Sequence, residues 1–220
     1  QLEPILQQTL TQGAAATVLP AWPQITGVAL NMRFDLEAPE AVAWLRRFGA
    51  DQLSQIDETT RQGIRATLTQ GLEAQQTPAQ TARQLRSQLG LTRQQQGAVD
   101  KAVAAWQAEG KTSAQVTGLR EKLAAQKLRQ RAEVISRQES ITAANAGSQQ
   151  LTLQARDAGL LPVTVRRVWV NTEDSTLCPQ CAATPGMNEG GVALDQPFQT
   201  PYGPFLFPPS HVGCRCVVSL

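Results

Sequence analysis

Between residues 28 and 36 apolar and polar side chains alternate, with Val28, Leu30, Met32, Phe34 and Leu36 on one side. A period of two predicts a half-buried strand with one wet face. A lone strand leaves backbone N–H and C=O groups unpaired, so this one needs a partner elsewhere in the chain. From Pro39 to about Gly159 the pattern turns helical and is cut by start signals. Thr77-Pro-Ala-Gln80, Thr92-Arg-Gln-Gln95 and Thr112-Ser-Ala-Gln115 all have capping-box spacing, the first with proline at the opening helical position. Gly90 and Gly110 stand where the preceding helices should stop. The last helix, roughly Ala114 to Ala158, is long for a globular fold and carries a candidate kink at Asn145-Ala-Gly147. After Gly159 the texture changes again. Pro162 to Val170 is β-branched and aromatic, which predicts a strand and a natural partner for residues 28–36. Beyond it lies a tail of glycine, proline and cysteine, predicted as loops.

These elements predict an α+β fold: a mostly helical body, a small β-sheet and a C-terminal loop module of the zinc-knuckle kind. The expected divisions are an N-terminal helix and connector over 1–27, a helical body with its initial strand over 28–160, and a strand plus Cys/His module over 161–220.

The chain has 220 residues, 41% of them hydrophobic and only 5% aromatic. That suits one medium domain with a small appendage. Net charge is +2, but its distribution matters more. Residues 1–76 hold 5 basic and 8 acidic side chains, residues 77–160 hold 12 and 6, and residues 161–220 hold 3 and 4. The positive charge therefore belongs to the helical middle. No apolar run approaches the roughly 20 residues needed to cross a bilayer. The densest, Ala14 to Leu30, is broken by Pro20 and Pro23. The chain opens on Gln1 and shows no signal-peptide pattern. Thiols at metal spacing point to a reducing compartment during folding, with the cytoplasm as the default expectation.

All four cysteines and the only histidine fall in the tail, as Cys178-Pro-Gln-Cys181 and His211-Val-Gly-Cys214-Arg-Cys216. Five soft or borderline donors on two short knuckles are the pattern of a structural Zn2+ site. A Cys-x-x-Cys turn lets two thiolates face one ion, and His-x-x-Cys copies that spacing. The preferred set is Cys178, Cys181, His211 and Cys214, with Cys216 able to replace His211. Four donors close a tetrahedral shell and leave no position for a substrate, which favours a stapled module over an enzyme. Bound zinc in such sites supplies on the order of 10 kcal/mol of folding free energy. Four reduced thiols or two disulfides are the plain alternative. A redox role for Cys178 and Cys181 fits poorly, because Pro185-Gly186 follows and no βαβ unit does. Asp174 and Arg215 are expected to support the donors from behind, Asp174 as a hydrogen-bond acceptor and Arg215 paired to Asp174 or Glu173, with a role facing a partner as the alternative for Arg215.

Arg120, Lys122, Lys127, Arg129 and Arg131 crowd one helical stretch, continued by Arg137 and interleaved with Glu121, Glu133 and Glu139. Alternating signs usually mark a solvated face. The regional charge still makes these five residues candidate DNA contacts, and a zinc-containing DNA-binding module using helix 114–140 is the alternative function. Hydrolytic or transfer chemistry has no centre: there is no spare histidine, no phosphate loop and no His-Glu-x-x-His.

The order of features in the tail resembles the phage Mu F-like family of head-morphogenesis, or minor capsid, proteins. The residues that carry this are Trp169, Thr172, Asp174, Cys178, Cys181, Gly186, Phe198, Pro208, Pro209, His211, Cys214, Arg215 and Cys216. Arg137-Gln-Glu139, Ala144-Asn145-x-Gly147 and Ala38-Pro39-Glu40 extend it upstream, so that 28–220 reads as one such domain. The resemblance implies a low-copy structural protein of a tailed-phage virion, inside the capsid at the portal vertex, present in host cytoplasm during assembly. It implies portal, capsid and scaffold proteins as partners, packaged DNA as a further contact, and neither a membrane nor a small-molecule substrate. Two departures stand out. The family commonly has asparagine where this chain has Gly213, and many members lack the Cys-x-x-Cys, which makes the metal a stabiliser rather than the source of function.

Overall fold

The computed structural model describes residues 39–220 apart from 52, 54, 55 and 173. The strand expected at 28–36 and the helix expected within 1–27 lie outside the described residues. In chain order come α1 (Pro39–Phe48), α2 (Glu58–Glu73), α3 (Pro78–Leu85) with a 3-10 turn (Arg86–Gln88), α4 (Arg93–Ala108) and α5 (Ser113–Asp157). They are followed by β1 (Arg166–Val170), α6 (Pro179–Ala183), a 3-10 turn (Pro185–Asn188), β2 (Val192–Ala193), β3 (Phe198–Thr200), β4 (Gly203–Phe205) and β5 (Val217–Ser219). The fold is α+β, mostly helical with small antiparallel sheets.

The caps explain the helix starts. Thr77 and Thr92 each accept from the backbone N–H three residues on, while Gln80 and Gln95 reach back to the cap N–H. Thr112 and Gln115 make the same reciprocal pair, at 3.3 and 2.9 Å. Each cap satisfies N–H groups that the helix itself leaves unpaired. Gly110 ends its segment with φ +78°, a conformation that suits glycine. Gly90 needs no such geometry, because the α3 turn has tightened and ended by Gln88.

Two compact units form: residues 39–47 with Ser140–Leu220, and Phe48–Glu139. The division falls inside α5, whereas sequence texture changes near residue 160. In Phe48–Glu139, Ile64, Leu68, Leu72, Ala82, Leu85 and Val99 are buried. The segment before α2 is pinned by charge. Arg65 Nε donates to Gly49 O at 2.8 Å and its Nη2 pairs with Asp51 at 2.6 Å. Buried Glu139 accepts from Ala50 N at 3.2 Å. Burial pushes the Glu139 carboxyl above its ordinary range, and the Ala50 N–H only partly offsets this.

In the other unit α1 meets α5 at Gly147, where an added Cβ would lie 2.8 Å from Ala41 N. Glycine there serves a close helix approach, and α5 runs through Asn145-Ala-Gly147 without a break in the helix. β1 is the middle of a three-stranded antiparallel sheet, β2-β1-β5. Arg166 and Arg167 face Ala193 and Val192, and Val168 to Val170 face Ser219 to Val217. The strand is shorter than the expected 162–170: Val165 N–H closes a turn on Pro162 O at 3.1 Å, so the first four residues never join a ladder.

Trp169 and Phe198 pack edge to face, 5.3 Å between centroids, beside Cys181, Cys214 and Cys216. Arg167 shares the inward face of β1, 1% exposed, with its guanidinium 4.9 Å over the Phe198 ring. It donates to Gln149 Oε1, Leu206 O and Gln196 O. Burial brings its pKa down to about 10, and these acceptors solvate a charge that water cannot reach.

Candidate metal centre

Two turns bring the donors together. After β1 the chain folds back on Asp174, whose Oδ1 accepts from Thr176 N at 2.9 Å and Thr176 Oγ1 at 2.7 Å. That side-chain turn delivers Cys178 to the start of α6, where Cys178 Sγ accepts from Cys181 N at 3.3 Å. Pro179 follows at the first helical position, where a missing N–H costs nothing. The second turn is closed by Cys214 N donating to His211 O at 3.1 Å, with Gly213 at φ +85°.

The structure places Cys178, Cys181 and His211 with their donor atoms within 4.8 Å of one another, and does the same for Cys181, Cys214 and Cys216. Cys181 belongs to both triads. His211 Nε2 lies 3.2 Å from Cys178 Sγ and 3.0 Å from Cys181 Sγ, and Cys181 Sγ lies 3.7 Å from Cys214 Sγ. An S–S bond is about 2.05 Å, so these sulfurs are not bonded; all four cysteines are free. Around one tetrahedral zinc, two sulfurs stand about 3.8 Å apart and a sulfur and a nitrogen about 3.6 Å. The sulfur pair already has that spacing, and the imidazole is about half an ångström inside it.

The donor chemistry fits a cation. His211 Nδ1 lies 2.9 Å from Val212 O, and a proton held there leaves the Nε2 lone pair toward the two sulfurs. The thiols conflict with one another electrostatically. Burial pushes Cys181 up to about 12, and the neighbouring Cys214 charge adds to this. Hydrogen bonding from Cys216 holds Cys214 down at about 5 despite burial, and the same contact drives Cys216 well above the ordinary thiol range. Burial also raises Cys178, but the Cys181 N–H and His211 bring it below its usual value. Crowded thiols cannot all ionise unaided, and a divalent cation removes that conflict.

Behind the donors, Arg215 grips Asp174 with two prongs, Nη1 to Oδ2 at 2.6 Å and Nη2 to Oδ1 at 2.7 Å. This pair joins the two knuckles independently of any ion and holds the Asp174 carboxyl well below the usual range. Three partners were not legible as site residues. Asn171 Oδ1 lies 3.4 Å from Cys216 Sγ, the Tyr202 ring packs 5.4 Å from the His211 ring, and Asn145 Nδ2 reaches Cys216 O at 3.5 Å. Alternation along β1 could have put Arg167 on the Trp169 face; Asn145 stood out only as a candidate kink and a family feature, and nothing in the sequence marks Asn171 or Tyr202.

The five basic candidates on α5 do not form one stripe. At about 100° per residue, Arg120, Lys127 and Arg131 share one side of the helix, while Lys122 and Arg129 point roughly the opposite way. Arg131 is half-buried and donates to Gly90 O, and the Lys127 carbonyl accepts from Gln95. Arg120, Lys122 and Arg129 are exposed.

A family model described as phage Mu protein F-like protein matches residues 62–219. The chain belongs to the phage Mu F-like family. The match runs from α2 to β5 and takes in all five donors. Membership makes this a phage head-morphogenesis protein, a virion component that works with other parts of the capsid. No curated protein and no solved structure matches the chain significantly. Gly213 of this Mu F-like protein has φ +85°, a conformation that glycine and asparagine both accept, so either residue would serve the turn. Among the described residues no helix is long and apolar enough to cross a membrane.

Proposed function

We propose that this Mu F-like protein is a structural minor head protein that joins the procapsid near the portal, without catalysing a reaction, and whose C-terminal cap is clamped by one zinc ion. Cys178, Cys181, His211 and Cys214 would hold the ion, which supplies cross-linking rather than Lewis-acid chemistry when its shell is closed by four protein donors. The observation that carries the clamp is convergence: donors 33 residues apart meet at 3.7 Å in a small cluster built on buried Trp169 and Phe198, with Leu177, Val192, Phe205 and Val218 packed against it. Family membership supports the role in head assembly, and the helical body offers the surfaces for protein partners such as portal, capsid and scaffold subunits. Contact with packaged DNA, during packaging or release, would fall to the exposed Arg120, Lys122 and Arg129.

The alternative of a DNA-binding module using helix 114–140 has less support, because its five cations divide between two sides of α5. DNA affinity of the isolated chain should be weak and nonspecific; nanomolar, steeply salt-sensitive binding would favour the alternative. Elemental analysis should find one zinc per chain, and Cys178→Ser should lower that stoichiometry. Full loading of a chain lacking both Cys178 and Cys181 would exclude the ligand set. Location in a particle map, or copurification with a portal ring, tests the assembly role.

A further inference from the structure

Five donors surround a site that needs four, and they differ in how they are held. Cys178 and His211 are half-buried, while Cys181, Cys214 and Cys216 are 3%, 2% and 1% exposed. His211 sits in an outer loop beside Val212, which is 72% exposed, and its ring packs on Tyr202, which is 52% exposed. Cys216 is anchored instead: it directly precedes β5, and its carbonyl meets Asn145 from α5.

We propose that Cys216 is a reserve donor, outside the shell while His211 binds and taking its place when the His211 loop is drawn away. This rests on the zinc reading above. As placed, Cys216 Sγ lies 3.4 Å from Asn171 Oδ1, an acceptor oxygen that suits a sulfur outside the shell better than a metal-bound one. A thiolate at the same position has a donor waiting. Trp169 Nε1 is buried without a hydrogen-bond partner, and its ring packs in the same cluster as Cys216. The sulfur is also within 4.8 Å of Cys181 and Cys214, so the exchange needs little movement. On exchange the Zn–Nε2 bond breaks, a Zn–S bond forms, and the Cys216 thiol proton passes to water; no electrons change hands. The inner triad then keeps the ion while the exposed loop engages a head partner.

X-ray absorption on the zinc-loaded wild-type chain counts donors directly: three sulfurs and one nitrogen are expected, and four sulfurs would overturn the assignment. Cobalt(II) substitution reads the exchange. Cys216→Ser should keep one metal per chain with unchanged thiolate-to-metal absorption. His211→Ala should also keep one metal, with that absorption rising by about one third as three thiolates become four. The double variant should lose stoichiometric metal. Metal loss from His211→Ala alone, or a one-third fall in absorption in Cys216→Ser, overturns the reserve role and leaves the zinc reading standing. A wild-type chain that takes up no metal overturns both.

Discussion

Glu139 sits where a carboxylate is least at home, 5% exposed, with Ala50 N–H as its close donor. Its folded pKa lies above the ordinary 4.5, so the stability it lends is complete below that value and is lost as pH rises through the folded pKa. Glu139→Gln can still accept from Ala50 yet never ionises. Its thermal midpoint should therefore gain on wild type between pH 4 and pH 7, and a constant difference across that range would contradict the burial argument. Glu139→Ala should lose about 1–3 kcal/mol at low pH, because a buried N–H is left without its acceptor, and the loss should shrink as pH rises. At this scale the sequence was uneven. Asp174 and Arg215 were legible as a pair, because a turn carboxylate beside one knuckle and an arginine inside the other have few other uses. Glu139 was not, because a glutamate at helical spacing among arginines reads as a solvated charge until α5 is seen to carry it inward.

Among the elements, α5 offers an internal control. Gly118 has nothing within 4 Å of an added Cβ, while at Gly147 the same atom meets the α1 backbone. Gly118→Ala should stabilise by about 0.5–1 kcal/mol through helix propensity alone. Gly147→Ala has the same propensity gain but should be net destabilising, by about 1–3 kcal/mol, because backbone cannot step aside. Urea unfolding of the two variants separates these signs. Helix starts were readable because a cap is local chemistry: threonine, then glutamine three residues on. The start of β1 was not, because Pro162 to Val165 has strand-like composition but no ladder partner, and pairing is a property of two segments. The basic stretch has a similar limit. Its spacing, not its count, decides which way each cation faces.

For the whole molecule, the clamp predicts uneven stability. Chelation should expose residues 171–220 to protease and shift Trp169 fluorescence, since Trp169 packs directly on the cysteines, while α2 to α4 stay protected. Uniform loss of protection, or none, would refute a local clamp. The α+β class and the gathering of the Cys and His side chains were both visible in composition and spacing. The partition inside α5 was not, because it depends on which residues α5 touches and not on what α5 is made of. One further consequence follows from the order of the sheet. β5 lies beyond both knuckles in sequence yet pairs with β1, 47 positions earlier at Val170 and Val217. A nascent chain leaving the ribosome must therefore release every donor before it can seat β5. The proposed ion would thus have its whole donor set in place before the sheet closes, so that the clamp would precede the strand it holds.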